Sequence, residues 1–208
     1  GCRVPSLIRW PGVVQPGTVI NEIFSHQDWL PTFLSAAGEP DIAAKLKKGH
    51  RAGERTYKVH LDGYDQTALL AGDGPGARET VYYFDDNANF NALRWNDWKI
   101  LFAVNWEGWA GPREAFNFPR VVHLRSDPYE ESLDSGLYAR FFADQMWLFV
   151  PVQQEVGKWL STFRQFPPRQ PTASFTIDRM MQQMQQMLQM RAMGAAAGGG
   201  QGKKKPPQ

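Results

Sequence analysis

TVYYFDDNANFNALRWNDWKILFAV, residues 80–104, is the stretch whose reading decides the fold. Thr80 to Phe84, Phe90 to Trp95 and Trp98 to Val104 are rich in β-branched and aromatic residues, the composition of strands. Asn96-Asp97 joins the last two as a tight turn. Arg120 to Leu124 has the same composition, so the spacing predicts an antiparallel sheet of three or four strands. Asn105 to Pro119, with its Gly and Pro residues, reads as a long loop, and loops of that length are often functional. A helical stretch follows from about Ser135 to Phe166, interrupted by Pro151. Within it Val152, Val156, Trp159, Leu160 and Phe163 form one apolar stripe that is expected to pack on a face of the sheet. These residues are therefore expected to form a small antiparallel sheet against a long helix.

Toward the N-terminus, Val4 to Trp10 reads as a short apolar strand closed by Pro11-Gly12, where proline fixes φ and glycine permits the turn. Trp29, Leu30, Phe33, Leu34 and Ala37 recur at helical spacing, and Gly38 with Pro40 is a stop signal. Asp28 is the expected N-cap, because it places Pro31 in the first turn, where its missing N–H costs nothing. Residues 41–60 read as a short helix plus loop, Gln66 to Leu70 as a short helix, and Asp73 to Ala77 as a loop. Ile177 to Met193 reads as a separate Met/Gln helix. The Gly/Lys/Pro end from Gly194 is low in complexity and reads as disordered.

The chain of 208 residues is 42% hydrophobic and 13% aromatic, which suffices for a core of its own. Its apolar runs are far shorter than the roughly 20 residues of a membrane span. A single cysteine, Cys2, excludes an internal disulfide scaffold and a multi-cysteine zinc site. The first residue is Gly1, and no basic-then-apolar leader follows it. The sequence is accordingly expected to be a processed chain or a piece of a longer one. The net charge of +2 is uneven. Beyond Asp178 lie only basic charges, Arg179, Arg191, Lys203, Lys204 and Lys205, so residues 1–178 are net acidic. That distribution argues against a nucleic-acid-binding surface on the folded part.

Several residue groups invite a chemical reading. Asp85, Asn87 and Asn89 mimic the first ligands of an EF-hand loop, but Phe90 stands where its glycine belongs and Asn96 where its glutamate belongs. A turn capped by its own Asx side chains is the expectation, with a polar pocket rim as the alternative. His26, His50, His60 and His123 lack metal-ligand spacing. Ser25, His26 and Asp28 are triad residue types, yet neighbours on one turn cannot face one another as a relay. Arg3 and Pro5 stand one and three places after Cys2, the wrong order for a C-x-P-x-R signature, so Cys2 reads as an ordinary residue. Met180, Met181, Met184, Met187 and Met190 line an amphipathic stripe suited to packing, on this chain or on a partner.

Taken in order, five segments resemble the C-terminal part of a sulfatase of the arylsulfatase type, within the alkaline-phosphatase-like superfamily. They are Gly1-Cys2-Arg3-Val4-Pro5 leading to Trp10-Pro11-Gly12, Asp28-Trp29-Leu30-Pro31-Thr32 with Ala37-Gly38, and Leu61-Asp62-Gly63 with Leu69-Leu70-Ala71-Gly72. Ala92-Leu93-Arg94 with Asp97-Trp98-Lys99, and Leu124 through Asp127-Pro128-Tyr129-Glu130, complete the set. The resemblance implies that 1–72 is the C-terminal edge of the large α/β domain and 73–170 the antiparallel sheet-and-helix subdomain. The Met/Gln helix, 171–193, and the basic tail, 194–208, match nothing in it. It implies an intact parent that hydrolyses sulfuric esters of a small molecule, using a formylglycine and a Ca2+ ion. In the family those groups and the catalytic lysine precede the G-x-R-x-P strand, so no catalytic or metal residue is carried onto this chain, which alone is expected to be inactive. Arg3, Asn87 and Arg94 are the candidates for a substrate-pocket rim, since arginine binds anionic oxygens bidentately; structural ion pairs are the competing role for the two arginines. Many relatives are exported to the periplasm or the medium. The alternatives are a stand-alone binding or assembly module, and a piece of a phosphoryl-transfer relative in the same superfamily.

Overall fold

The computed structural model describes residues 4–108 and 111–167. Arg3, Cys2, the Met/Gln helix and the basic tail lie outside the described residues. Among the described residues, 4–85 and 90–167 belong to one compact unit, and 86–89 to a second. In the second, residues 86–87 make a turn and Ala88 takes a left-handed φ of 58°.

The first unit is built around a four-stranded antiparallel meander. Its strands are β3 (Thr80–Phe84), β4 (Phe90–Trp95), β5 (Trp98–Asn105) and β6 (Arg113–His123), in the order β3-β4-β5-β6. Trp95 pairs with Trp98 across the Asn96-Asp97 turn, and Asn96 adopts φ 52°, a conformation its short amide side chain tolerates. Because side chains alternate along a strand, the sheet has two apolar faces. One buries Leu93, Ile100 and Val121 with Leu148 and Val152; the other buries Ala92, Leu101, Val122 and Leu124.

The first face is covered by α4 (Tyr138–Asp144) and α5 (Phe149–Gln165). On α5, Val152 is buried, Val156 packs on the core, and Trp159 stacks on Tyr82 at 4.7 Å. The stripe is narrower than its spacing suggests, since Leu160 is half exposed and Phe163 packs on Trp159 with part of its ring in solvent. The helical break also falls earlier than expected, in a 3-10 turn at Met146–Leu148. Pro151 is the third residue of α5, where an absent N–H removes no hydrogen bond.

Two expectations are corrected in this region. Asn105 to Pro119 is not a long loop: β6 begins at Arg113, and Ala103, Val104 and Asn105 pair with Ala115, Glu114 and Arg113. Gly and Pro mark a tight return and a bulge. Between the Leu101–Arg120 and Ala103–Ala115 pairs, β6 takes five residue steps against two on β5. Pro119 sits in that irregularity on an edge strand, the place where a missing donor is tolerated. The same edge is closed by Tyr138, whose hydroxyl accepts from the Val121 N–H at 2.8 Å and lies 3.2 Å from its carbonyl oxygen.

The N-terminal part contains α1 (Trp29–Ala36), α2 (Ile42–Lys48), a hairpin of β1 (His50–Ala52) and β2 (Arg55–Tyr57), and α3 (Thr67–Ala71). Asp28 directly precedes α1, but it has helical φ/ψ and its side chain caps no α1 amide; a 3-10 turn, His26–Asp28, starts from Ser25 and runs into the helix, so the expected N-cap role is corrected. Gly38 follows the end of α1 with φ 89°. The hairpin replaces the loop expected in 41–60. Val4–Trp10 is not a strand: these residues have no ladder partner among the described residues, and Leu7 is fully exposed. Strand composition forms a strand only where a neighbour satisfies its backbone.

Candidate functional site

Asp28 is fully buried at the start of α1, where a lone carboxylate would be prohibitively costly. It is surrounded by donors instead. Oδ2 accepts from the Ser25 amide at 2.9 Å and Oδ1 from the Tyr64 amide at 2.8 Å. The Arg78 guanidinium closes on both oxygens, with Nε at 2.8 Å from Oδ2 and Nη2 at 2.6 Å from Oδ1. Arg78 also donates through Nη2 to the Asp62 carbonyl at 2.7 Å and through Nη1 to the Thr80 carbonyl at 2.9 Å. One arginine fork thus ties the head of α1, the Leu61–Gly63 segment and the first residue of β3 together.

A second layer of polar groups completes the clasp. Thr32 donates to the Asp28 carbonyl at 2.6 Å and accepts from the Gln66 amide at 3.0 Å. The Gln66 side-chain oxygen accepts from the Ala77 amide at 3.0 Å. Burial raises the Asp28 pKa, but hydrogen bonds from Arg78, Tyr64 and Ser25 and the Arg78 charge outweigh it and hold the carboxyl below its usual 3.8. The Asp28 carboxylate is therefore ionised, and its hydrogen bonds with Arg78 satisfy both side chains. They position other groups and are not themselves available to a substrate.

What they position is an open cleft of about 290 Å³ lined by His26, Gln27, Leu30, His60, Leu61, Asp62 and Gly63. Gly63 is required for sterics: a Cβ there would lie 2.0 Å from the Gln27 carbonyl oxygen, so only glycine lets the two segments meet. His60 Nδ1 stands 3.4 Å from Asp62 Oδ1, and its ring lies 5.7 Å from that of Phe166. Imidazoles beside a carboxylate in a cleft can donate to or accept from an anionic or hydroxylated ligand. Among the described residues no cluster of three or more His, Cys, Asp or Glu side chains is placed to hold a metal ion.

The residues singled out from the sequence fall elsewhere. Arg3 is outside the described residues. Asn87 lies, half-buried, in the turn preceding β4. Arg94 is next to last in β4, opposite Val81 and Lys99, and its Nε donates to the Asn96 carbonyl at 2.9 Å, bracing the tight turn. Ser25, His26 and Asp28 form no relay: Ser25 acts through its amide, Asp28 turns inward, and His26 lines the cleft. Sequence reading missed Arg78 and the meeting of His26 with His60. The one signal was a lone arginine at the end of a Gly/Pro-rich loop directly before a strand. Nothing local says that its partner is 50 residues back.

No protein-family model matches the chain. Curated relatives do. Human steryl-sulfatase is 32% identical over 108 residues, 49% of this chain and 16% of that protein. Bovine arylsulfatase A is 36% identical over 144 residues, 65% of this chain and 25% of that protein. An ulvan-active sulfatase of Formosa agariphila is 45% identical over 38 residues, 18% of this chain and 8% of that protein. Among solved structures, the PsFucS1 sulfatase from Pseudoalteromonas sp. superposes with a TM-score of 0.59 over 77% of this chain and 30% of that one, at 24% identity. The resemblance in sequence is thus to sulfatases, and the fold is that of part of a sulfatase. The chain spans a quarter or less of the length of these curated relatives. No helix among the described residues is long and apolar enough to cross a membrane.

Proposed function

We propose that this chain is the C-terminal, cleft-supporting part of a sulfuric ester hydrolase of the arylsulfatase type, with the bond-breaking groups contributed by residues outside it. The observation that carries the reading is the 32–36% identity to steryl-sulfatase and arylsulfatase A over half to two thirds of this chain. The chemistry of the described residues is consistent with support: the one fully buried carboxylate is neutralised in a structural clasp, and no metal-ligand set accompanies it. On this reading the calcium ion and the formylglycine lie outside the chain, and the substrate is a sulfated small molecule. The cleft of His26, His60 and Asp62 and the candidates Arg3, Asn87 and Arg94 belong to the walls and rim.

The test is the reading frame itself. Gene sequence upstream of Gly1 is expected to encode a C-x-P-x-R or S-x-P-x-R signature with a nearby Asp-Asp pair, and the intact product to hydrolyse 4-nitrophenyl sulfate. An in-frame start codon at Gly1 with no upstream coding sequence overturns the proposal. Hydrolysis of 4-nitrophenyl phosphate in preference to the sulfate identifies a phosphoryl-transfer parent instead. Within an active parent, Arg94→Ala is expected to raise KM; unchanged KM and kcat remove Arg94 from the rim.

A further inference from the structure

The turn end of the β5–β6 hairpin carries a second group of side chains that the clasp and its cleft do not use. Trp106 follows β5 directly and is half exposed, at 53%. Its Nε1 donates to Glu114 Oε2 at 2.7 Å. Phe116 meets its ring nearly edge-on at 6.3 Å and roots the group in the second apolar face of the sheet. The Arg120 guanidinium lies over the Phe116 ring at 4.6 Å and near the Trp106 ring at 5.8 Å. Among the described residues Arg120 has no carboxylate at ion-pair distance, unlike Lys99, which is held by Glu130 at 2.6 Å.

The hairpin end is braced from behind. Asn91 Nδ2 donates to Asn105 Oδ1 at 3.1 Å, and Asn105 Nδ2 to the Gly111 carbonyl at 3.1 Å. Arg113 donates through Nε to Asn91 Oδ1 at 2.8 Å and through Nη2 to the Phe90 carbonyl at 3.1 Å. These bonds fix the strand ends from which Trp106, Glu114 and Phe116 project. A platform ordered before a ligand arrives loses little conformational entropy on binding.

We propose that this platform binds an acidic glycan, the Trp106 ring stacking on the apolar C–H face of a pyranose while the Arg120 fork takes its sulfate or carboxylate group. Glu114 is placed to accept from a ring hydroxyl. An exposed aromatic ring rimmed by a cation and a carboxylate suits a ligand that is itself an apolar plate edged with hydroxyls and anions. A protein partner would call for roughly 800 Å² on this side with an apolar centre, whereas here the Trp106 and Phe116 rings are edged by charged Glu114 and Arg120. Single-stranded nucleic acid would call for a basic groove, and Glu114 opposes one. The inference is independent of whether the parent hydrolyses sulfate esters, because it is read by binding alone.

Isothermal titration of the 208-residue chain tests it with a chondroitin sulfate hexasaccharide, a hyaluronan hexasaccharide and maltohexaose. Binding of the first, or of the first two, is expected, with maltohexaose at least tenfold weaker; the first pair separates a need for sulfate from one for carboxylate. Trp106→Ala and Arg120→Gln are each expected to weaken binding tenfold or more, while Arg55→Gln on the distant hairpin of β1 and β2 leaves it unchanged. Trp106→Phe and Arg120→Lys serve where either variant lowers the melting temperature, and each is expected to lose part of the affinity. The proposal is overturned by no binding of either acidic probe to a normally melting chain, by equal loss in Arg55→Gln, or by tighter binding of a single-stranded 12-mer DNA than of both acidic glycans.

Discussion

Asp28 and Arg78 show how much of this protein rests on single residues. Asp28 could be recognised in the sequence as the start of a helix, because Pro31 tolerates only the first turn, but its buried charge could not. Burial is a tertiary property, and the arginine that compensates it lies 50 residues on. Arg78→Ala leaves an uncompensated buried carboxylate and is expected to cost about 3–5 kcal/mol, read from urea unfolding at pH 7. Arg78→Lys is expected to recover only part of this, since an ammonium cannot span both Asp28 oxygens and two carbonyls. A lysine variant as stable as the parent sequence would show that charge alone suffices. Asp65 and Asp127 are also held below their usual 3.8: burial raises each, and hydrogen bonds from Ser35 and Thr67, and from Ser132 with the 130–132 amides, outweigh it. Groups whose folded pKa is depressed stabilise fully above the unfolded value and lose that contribution as pH falls through the folded one. Stability is therefore expected to be flat from pH 7 to about 5 and to fall below about 4. Asp28→Asn should be less stable at pH 7 and less sensitive to acid; an unchanged acid slope would assign the transition to other carboxylates.

At the scale of elements, composition located β3 and β4 to the residue, because each is a short run of strand formers bounded by turn residues. It failed at Asn105–Pro119, where β6 is irregular. A strand with a bulge and an edge proline has loop composition, and only its pairing with β5 reveals it. The converse failure is Val4–Trp10, which has strand composition but no partner among the described residues. The stripe on α5 was legible as a period, but its depth was not. Val152 is buried because Leu93, Ile100 and Leu148 enclose it, while Leu160, on the same stripe, reaches past the sheet and is half exposed. Leu93→Ala is expected to cost about 2–5 kcal/mol through the cavity it leaves. Leu160→Ala should stay within about 0.5 kcal/mol. Thermal melts of the two variants check the contrast, and equal losses would mean that Leu160 is covered in solution.

For the molecule as a whole, the apolar surface is distributed unevenly. The sheet buries both faces, yet Leu7, Val19, Leu30 and Phe33 in the N-terminal part are exposed, and Phe24, Trp29 and Phe33 form a ring series at 4.4 and 5.1 Å. Exposed apolar side chains beside such a ring series suit a surface that is covered in the working assembly. The proposed function supplies that cover as the remainder of a sulfatase domain. The isolated chain is therefore expected to bind a hydrophobic dye such as ANS strongly, with the signal reduced by Leu30→Ser and Phe33→Ser together. A monomeric chain that melts cooperatively and binds no dye would favour a self-sufficient module. By itself the sequence determined part of the local grammar: β3, β4 and their tight turn, the first-turn place of Pro31, the apolar period of α5, and the ordered segments that resemble an arylsulfatase-type sulfatase. These depend on near neighbours along the chain. Only the tertiary structure decided that Asp28 meets Arg78, that Gly63 must pass the Gln27 carbonyl, that His26 and His60 share a cleft, and that Trp106 and Arg120 form one platform. Each depends on burial or contact between residues far apart in the chain, which no local pattern encodes.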